Sequence, residues 1–272
     1  MKLHDSTILI TGAASGLGRE LALQLAATGR ILWLTDRVGP ALVAVASEAE
    51  SRGATAHTLQ LDVTDEEAWR AAKQAVGPVD LLVNNAGVAD VGPLLSTTER
   101  QWERQIGINL MGVVRGCRHF VPGMVDQKRG HVVNIASFAG IAMAPGMIAY
   151  NTAKAGVVAF SESLRVELAL DGVGVSVCCP AFFRTNLTDS LEDASPAMVS
   201  RIQGWMDGSG VTATDVAQAI VSAVERDTFM VLTHPTTRRY WWMKRWMPER
   251  YRSQLVAREK SRRAKKATRN RS

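Results

Sequence analysis

Thr7-Ile-Leu-Ile-Thr-Gly-Ala-Ala-Ser-Gly-Leu-Gly18 is the stretch that decides the fold. Thr7–Ile10 is a short apolar run and reads as a buried strand. Gly12, Gly16 and Gly18 make the turn that follows. Leu17, Leu21 and Leu25 then carry helical spacing, which predicts a helix from Arg19 to Thr28 with Gly29 as its C-cap. A glycine-rich turn between a strand and a helix gathers backbone N–H groups and a helix N-terminus at one point, which suits a pyrophosphate. The spacing G-x-x-x-G-x-G departs from G-x-G-x-x-G, so the generic dinucleotide fingerprint is not met literally. An ordinary tight turn would still rarely need three glycines.

The alternation continues along the chain. Further strands are predicted at Ile31–Thr35, Ala56–Asp62, Asp80–Asn84, His131–Ala136, Gly174–Pro180 and Phe229–Thr233. Helices are predicted at Pro40–Ser51, Asp65–Val76, Gln101–Asp126, Ala153–Leu170 and Thr214–Arg226. Apolar strands alternating with helices argue for an α/β, Rossmann-like doubly wound parallel sheet of about seven strands in three αβα layers, over residues 1–233. Thr185–Gly210 shows no clear period, although it holds Met198, Ile202, Trp205 and Met206, and reads as a lid or binding loop.

An apolar share of 46% over 272 residues implies a sizeable core. Cys117, Cys178 and Cys179 cannot form a disulfide framework and read as small core residues. Nothing beside them has metal-ligand spacing, so no metal is expected. The N-terminal residues run directly into a strand without a signal-peptide pattern, and no long apolar run spans a membrane; a cytoplasmic, non-secreted protein is expected. The charge is uneven. Residues 238–272 hold fourteen Lys and Arg against two acids, net +12, whereas residues 1–237 hold eighteen against twenty-four, net −6.

Chemistry concentrates between Ser137 and Lys154. Ser137 stands at the end of an apolar strand, where open α/β sheets keep their sites. Tyr150 and Lys154 are four apart and share a helix face. An ammonium beside a phenol is expected to lower the phenol pKa from its usual value of ~10 toward neutrality, making it a proton donor and acceptor. Asp36, at the end of the second strand, can accept from a ribose 2′-OH and repels a 2′-phosphate, whereas Arg37 could meet that phosphate; NAD(H) is favoured and NADP(H) is retained. Asn109 sits inside a predicted helix, where it is a poor helix former without a local reason.

Taken together, TGAASGLG at 11–18, Asp62-Val63, NNAG at 84–87, Asn109, Ser137 and Tyr150-Asn-Thr-Ala-Lys154 resemble the short-chain dehydrogenase/reductase family over about residues 5–233. The resemblance implies that Thr11, Gly12, Ser15, Gly16, Leu17 and Gly18 form the pyrophosphate turn and that Asp36 reads the adenosine ribose beside Arg37. It implies that Asp62 and Val63 border the adenine and that Asn84, Asn85, Ala86 and Gly87 support the cofactor. Tyr150 would be the general acid/base. Lys154 would bind the nicotinamide ribose and depress the phenol pKa. Ser137 would hold the substrate oxygen, and Asn109 would anchor a water linking the lysine to solvent. Pro180, Phe183 and Thr185 complete the implied cofactor set. The family usually has Pro-Gly after the sixth strand, where this chain has Pro180-Ala181, and alanine tolerates positive φ less well.

The expected reaction is reversible hydride transfer between the nicotinamide cofactor and a secondary alcohol or ketone. Phe138, Met143, Met147, Phe182 and Trp205 suggest a lipophilic substrate such as a steroid, retinoid, terpenoid or lipid, and no Arg or Lys cluster is evident there. The alternatives are a 3-oxoacyl-type ketone reductase using NADPH and a non-enzymatic dinucleotide-binding regulator acting through its basic tail. Family resemblance implies a homodimer, or else a tetramer, through the helices at 101–126 and 150–170. In the extension, residues 234–272, Tyr240, Trp242, Met243, Trp246 and Met247 fall on one helical face with Lys244 and Arg245 opposite, and residues 258–272 read as mobile. The apolar face is expected either to pack on the enzyme or to contact a membrane surface through 238–257; nucleic acid is the less favoured partner.

Overall fold

The computed structural model describes residues 3–183, 191 and 196–269. Its strands are β1 (Thr7–Thr11), β2 (Ile31–Asp36), β3 (Thr55–Gln60), β4 (Leu81–Asn84), β5 (Gly130–Ile135), β6 (Val173–Cys178) and β7 (Met230–Val231). They form one sheet in the order β3-β2-β1-β4-β5-β6-β7, every pair parallel. The strand order reverses between β1 and β4, and a crevice opens there at the carboxyl ends of the strands.

The period of two in each strand sorts the side chains into two layers. Ile8, Ile10, Leu81 and Val83 face α1 (Gly16–Leu25), α2 (Gly39–Ser51) and α9 (Ala213–Glu225). Leu9, Leu82, Val132 and Val175 face α3 (Glu66–Val76), α5 (Gly112–Asp126) and α7 (Ile148–Glu167). The three-layer expectation holds. Cys117, Cys178 and Cys179 are buried in these layers.

Several elements depart from the sequence expectation. Helix α1 starts three residues early, because Gly16 and Gly18 belong to its first turn, and it ends at Leu25 with Ala26 as C-cap. Gly29 lies in the turn beyond, at φ +83°. The long helix predicted over 101–126 is α4 (Glu99–Ile106), a π-helical turn at Gly107–Met111, and α5. Strand β7 keeps only two of its five expected residues. A helix of four residues, α6 (Ala139–Ala142), follows Ser137, too short for periodicity to reveal. Part of the stretch read as lacking structure is α8 (Pro196–Asp207). The extension forms α10 (Pro235–Trp246) and α11 (Pro248–Arg269), each with proline in its first turn, so residues 258–269 are helical where mobility was expected.

One buried polar cluster ties β5 to β6. The Ser176 hydroxyl donates to Thr228 O (2.7 Å), so its oxygen accepts from His131 Nε2 (2.8 Å). Asp227 takes a two-pronged ion pair from Arg165 (2.5 and 2.6 Å) and lies 3.8 Å from His131 Nδ1. Burial lowers the His131 pKa from 6.5 to about 4, with Asp227 opposing, so the ring is neutral near neutrality. Unfolding releases the ring to its ordinary value, and the unfolded chain binds the extra proton between pH 6.5 and 4. Stability therefore falls with pH through that window, by roughly 3 kcal/mol from this group. Thermal unfolding followed between pH 7 and 4 will show this loss, and His131→Gln will flatten the slope while lowering stability at pH 7; an unchanged slope would remove His131 as its source.

Candidate active site

The crevice is a cavity of about 760 Å³. Its dinucleotide end is lined by Gly12, Ser15, Gly16 and Leu17, by Asp36 and Arg37, by Asp62 and Val63, and by Asn85, Ala86 and Gly87. Two positions here admit only glycine. A Cβ on Gly12 (φ +66°) would stand 2.8 Å from Ala86 Cα, and one on Gly18 would stand 2.0 Å from Gly12 O. Helix α1 opens at Ser15 without a side-chain cap, leaving its end available to an anion. A dinucleotide pyrophosphate fits this cradle. Thr11 and Gly18 do not line the cavity but build it. Thr11 Oγ1 accepts from Asn85 N and Ala86 N, both at 3.0 Å, and joins β1 to the end of β4. The Asp36 carboxylate accepts from Ala14 N (3.1 Å) and Val38 N (3.2 Å), which fixes it at the tip of β2. Asp62 Oδ1 accepts from Thr64 N (2.8 Å) and the Thr64 hydroxyl (2.7 Å).

Asn109, Ser137, Tyr150 and Lys154 all line the same cavity. Ser137 follows β5 by two residues, and its hydroxyl oxygen accepts from Ala139 N (3.1 Å) and hydrogen-bonds the Tyr150 phenol. Tyr150 and Lys154 occupy successive turns of α7 and are 6% and 4% exposed. Lys154 Nζ donates to Ile135 O at 2.8 Å. Burial raises the phenol pKa above its usual 10, with the Ser137 hydrogen bond lowering it. Burial lowers the Lys154 pKa from 10.5 to about 8. The expected depression of the phenol by the ammonium is thus reversed, because loss of water dominates at both groups.

The π-helical turn explains Asn109. Its side chain accepts from Val88 N (3.1 Å) and donates to Val88 O (2.9 Å) and to Gln105 Oε1 (2.6 Å), so it stitches the helix to the segment after β4. A Cβ on Gly87 would meet both Asn109 Oδ1 (2.8 Å) and Lys154 Nζ (3.4 Å), which puts the two groups beside one another. Gln105, fully buried, was not anticipated from sequence; its place four residues before Asn109 was the available signal.

The other end of the cavity is lined by Phe138, Met147, Pro180, Phe182 and Phe183, by Leu191, and by Ile202 and Met206 of α8. Met143 is not part of the lining; it caps α6 in the left-handed region (φ +53°) and is 37% exposed. Thr185 lies outside the described residues, as does the side chain of Trp205. Ala181 is not among the residues with positive φ, so alanine after Pro180 carries no backbone penalty. Its N–H donates to His234 Nδ1 (3.3 Å), and His234 Nε2 donates to Phe182 O (3.1 Å), tying this loop to the start of α10. Arg100 and Arg104 also line the cavity, with Ile108 one turn beyond. Arg100 and Arg104 were not anticipated from sequence; their i, i+4 spacing on a helix capped by Thr98 was the signal to be found.

Comparison with known proteins agrees with this geometry. A family model described as short chain dehydrogenase matches residues 6–196. The chain is 36% identical over 235 residues to a probable oxidoreductase, EphD, of Mycobacterium tuberculosis, covering 82% of this chain and 40% of that protein, so it spans about two fifths of that relative's length. It is 30% identical over 234 residues to a cyclopentanol dehydrogenase of Comamonas testosteroni, covering 85% of this chain and 94% of the relative. A crystal structure of a short chain dehydrogenase/reductase from Burkholderia phymatum in complex with NAD superposes with a TM-score of 0.84 at 33% identity, covering 92% of this chain and 96% of the other. With its cradle, crevice and Ser137, Tyr150 and Lys154 in the family's order, the chain belongs to the short-chain dehydrogenase/reductase family.

Proposed function

We propose that this chain catalyses reversible hydride transfer between a nicotinamide dinucleotide and a lipophilic secondary alcohol or its ketone. The observation that carries the reading is the meeting of Ser137, Tyr150 and Lys154 in a cavity with a glycine cradle at one end and an apolar wall at the other. When bound, the nicotinamide supplies or accepts the hydride. The chain's own residues manage the substrate oxygen. Ser137 holds it by hydrogen bonding, and Tyr150 donates a proton to it in ketone reduction or takes one in alcohol oxidation. With its pKa raised by burial, Tyr150 carries its proton at neutral pH and is set to donate. Lys154 and Asn109, side by side behind Gly87, hold the nicotinamide ribose and return the proton from solvent. Phe138, Met147, Phe182, Leu191, Ile202 and Met206 favour an apolar substrate, and the cyclopentanol dehydrogenase relative favours an alicyclic one. Arg37, Arg100 and Arg104 leave room for an anionic group on the ligand.

Tyr150→Phe will lower turnover by about 10³-fold while leaving dinucleotide affinity within a small factor of the parent. Substantial turnover in that variant would remove Tyr150 from the role, and failure of the parent chain to bind either dinucleotide would favour the regulator reading.

Asp36 supports NAD(H), since its fixed carboxylate accepts from a ribose 2′-OH and repels a phosphate there. Titration followed by protein fluorescence will give tighter binding of NADH than of NADPH, by about tenfold, with Asp36→Asn narrowing the gap. Tighter NADPH binding would mean that Arg37 prevails and that ketone reduction is the working direction.

We further infer a homodimer through α4, α5 and α7. Support comes from Val166 and Leu170, at and just beyond the end of α7, which are 75% and 99% exposed. Sedimentation equilibrium will read the dimer mass, and a monomer at micromolar concentration would overturn it.

A further inference from the structure

Helices α10 and α11 are unused by the reaction, and they divide their faces in a way the sequence did not foretell. Thr237, Tyr240, Trp241 and Lys244 face inward. Trp241 packs on the core, and Tyr240 lies 5.9 Å from the Phe138 ring. Lys244 Nζ donates to Ile141 O and the Tyr251 hydroxyl to Ala142 O, both at 2.6 Å, so the extension holds the last carbonyls of α6. The helical wheel put Tyr240 on the face of Trp242 and Trp246 with Lys244 opposite; in the structure Tyr240 and Lys244 share the inner face, because α6 presents carbonyls that an ammonium and a phenol can meet.

The opposite face of α10 therefore carries Arg238, Trp242, Arg245 and Trp246 together. The two indoles stack on one another, 6.3 Å between centroids and 12° between planes. They are 48% and 70% exposed, with Met247 at 43%. Arg238, Arg239, Arg245 and Arg250 are exposed around them. Glu249 pairs with Arg252 and Glu259 with Arg262 and Arg263, which leaves the helices strongly positive.

From this placement we propose that the outer face of α10, with the start of α11, docks on an anionic lipid surface. Indoles are enriched at the water–hydrocarbon boundary, where the ring is apolar and the N–H reaches headgroups. Arginines interleaved with them meet phosphate oxygens. The charge of this face is complementary to an anionic lipid surface. The extension is net +12 and the rest of the chain net −6, so an anionic bilayer attracts one and repels the other, and the molecule is oriented with α10 toward the surface. Docking is independent of the reaction proposed above, since it uses none of the catalytic side chains.

The test is cosedimentation of the full chain with vesicles of phosphatidylcholine alone and of phosphatidylcholine mixed with phosphatidylglycerol. The expected result is binding to the mixed vesicles, about tenfold weaker binding to phosphatidylcholine, and a blue shift of tryptophan emission on binding. The double variant Trp242→Ala/Trp246→Ala will lose about tenfold in affinity for the mixed vesicles, its fold verified by unaltered dinucleotide binding. Three results would overturn the proposal. One is the absence of binding to the mixed vesicles. Another is undiminished binding of the double variant, with DNA competing equally, which would make the tail a general polycation. The third is loss of a dimer in the double variant, which would assign the tryptophan face to a second copy.

Discussion

The hydroxyl of Thr11 holds the crevice together. It accepts two N–H groups from the end of β4, at Asn85 and Ala86, and by doing so fixes the distance between the strands on either side of the switch point. The glycine turn can approach Ala86 closely because Gly12 has no side chain there, and Gly18 can pack on Gly12 O for the same reason. From this anchor the segment after β4 runs on to Val88, whose N–H and C=O both engage Asn109. The phosphate cradle and the proton-handling end of the cavity are thus joined by one short run of backbone.

Burial governs the chemistry more than charge does. Tyr150 and Lys154 were taken out of water together, and dehydration disfavours the ionised form of each. The phenol moves up and the ammonium down to about 8, which drives the two proton affinities apart and inverts the order they have in water. Near neutrality the phenol therefore keeps its proton, and the ammonium is the readier of the two to give one up.

The alternation of strands and helices was legible because the central strands β1, β4, β5 and β6 are buried on both faces, as a parallel sheet demands. The constellation of Asn109, Ser137, Tyr150 and Lys154 was legible because its spacing survives in the linear chain. Helix α6 was not, since four residues carry no period. The π-helical turn was visible only as a misplaced asparagine, whose partner Val88 is twenty-one residues away. The direction of the Tyr150 pKa depended on depth of burial, which spacing does not encode. The faces of α10 were misjudged because hydrophobicity alone assigned them, whereas α6 offered carbonyls that drew Lys244 inward.

That hold on α6 has a thermodynamic consequence. Phe138, Ala139 and Ala142 border the cavity, and the carbonyls of Ile141 and Ala142 are the ones gripped by Lys244 and Tyr251. A ligand that shifts α6 must strain or relieve those two hydrogen bonds. Only a ligand that did so would be coupled to the inner face of the extension, and the coupling would then be equal in both directions. The path between the cavity wall and the C-terminal helices is thus a helix barely one turn long, held from outside by an ammonium and a phenol.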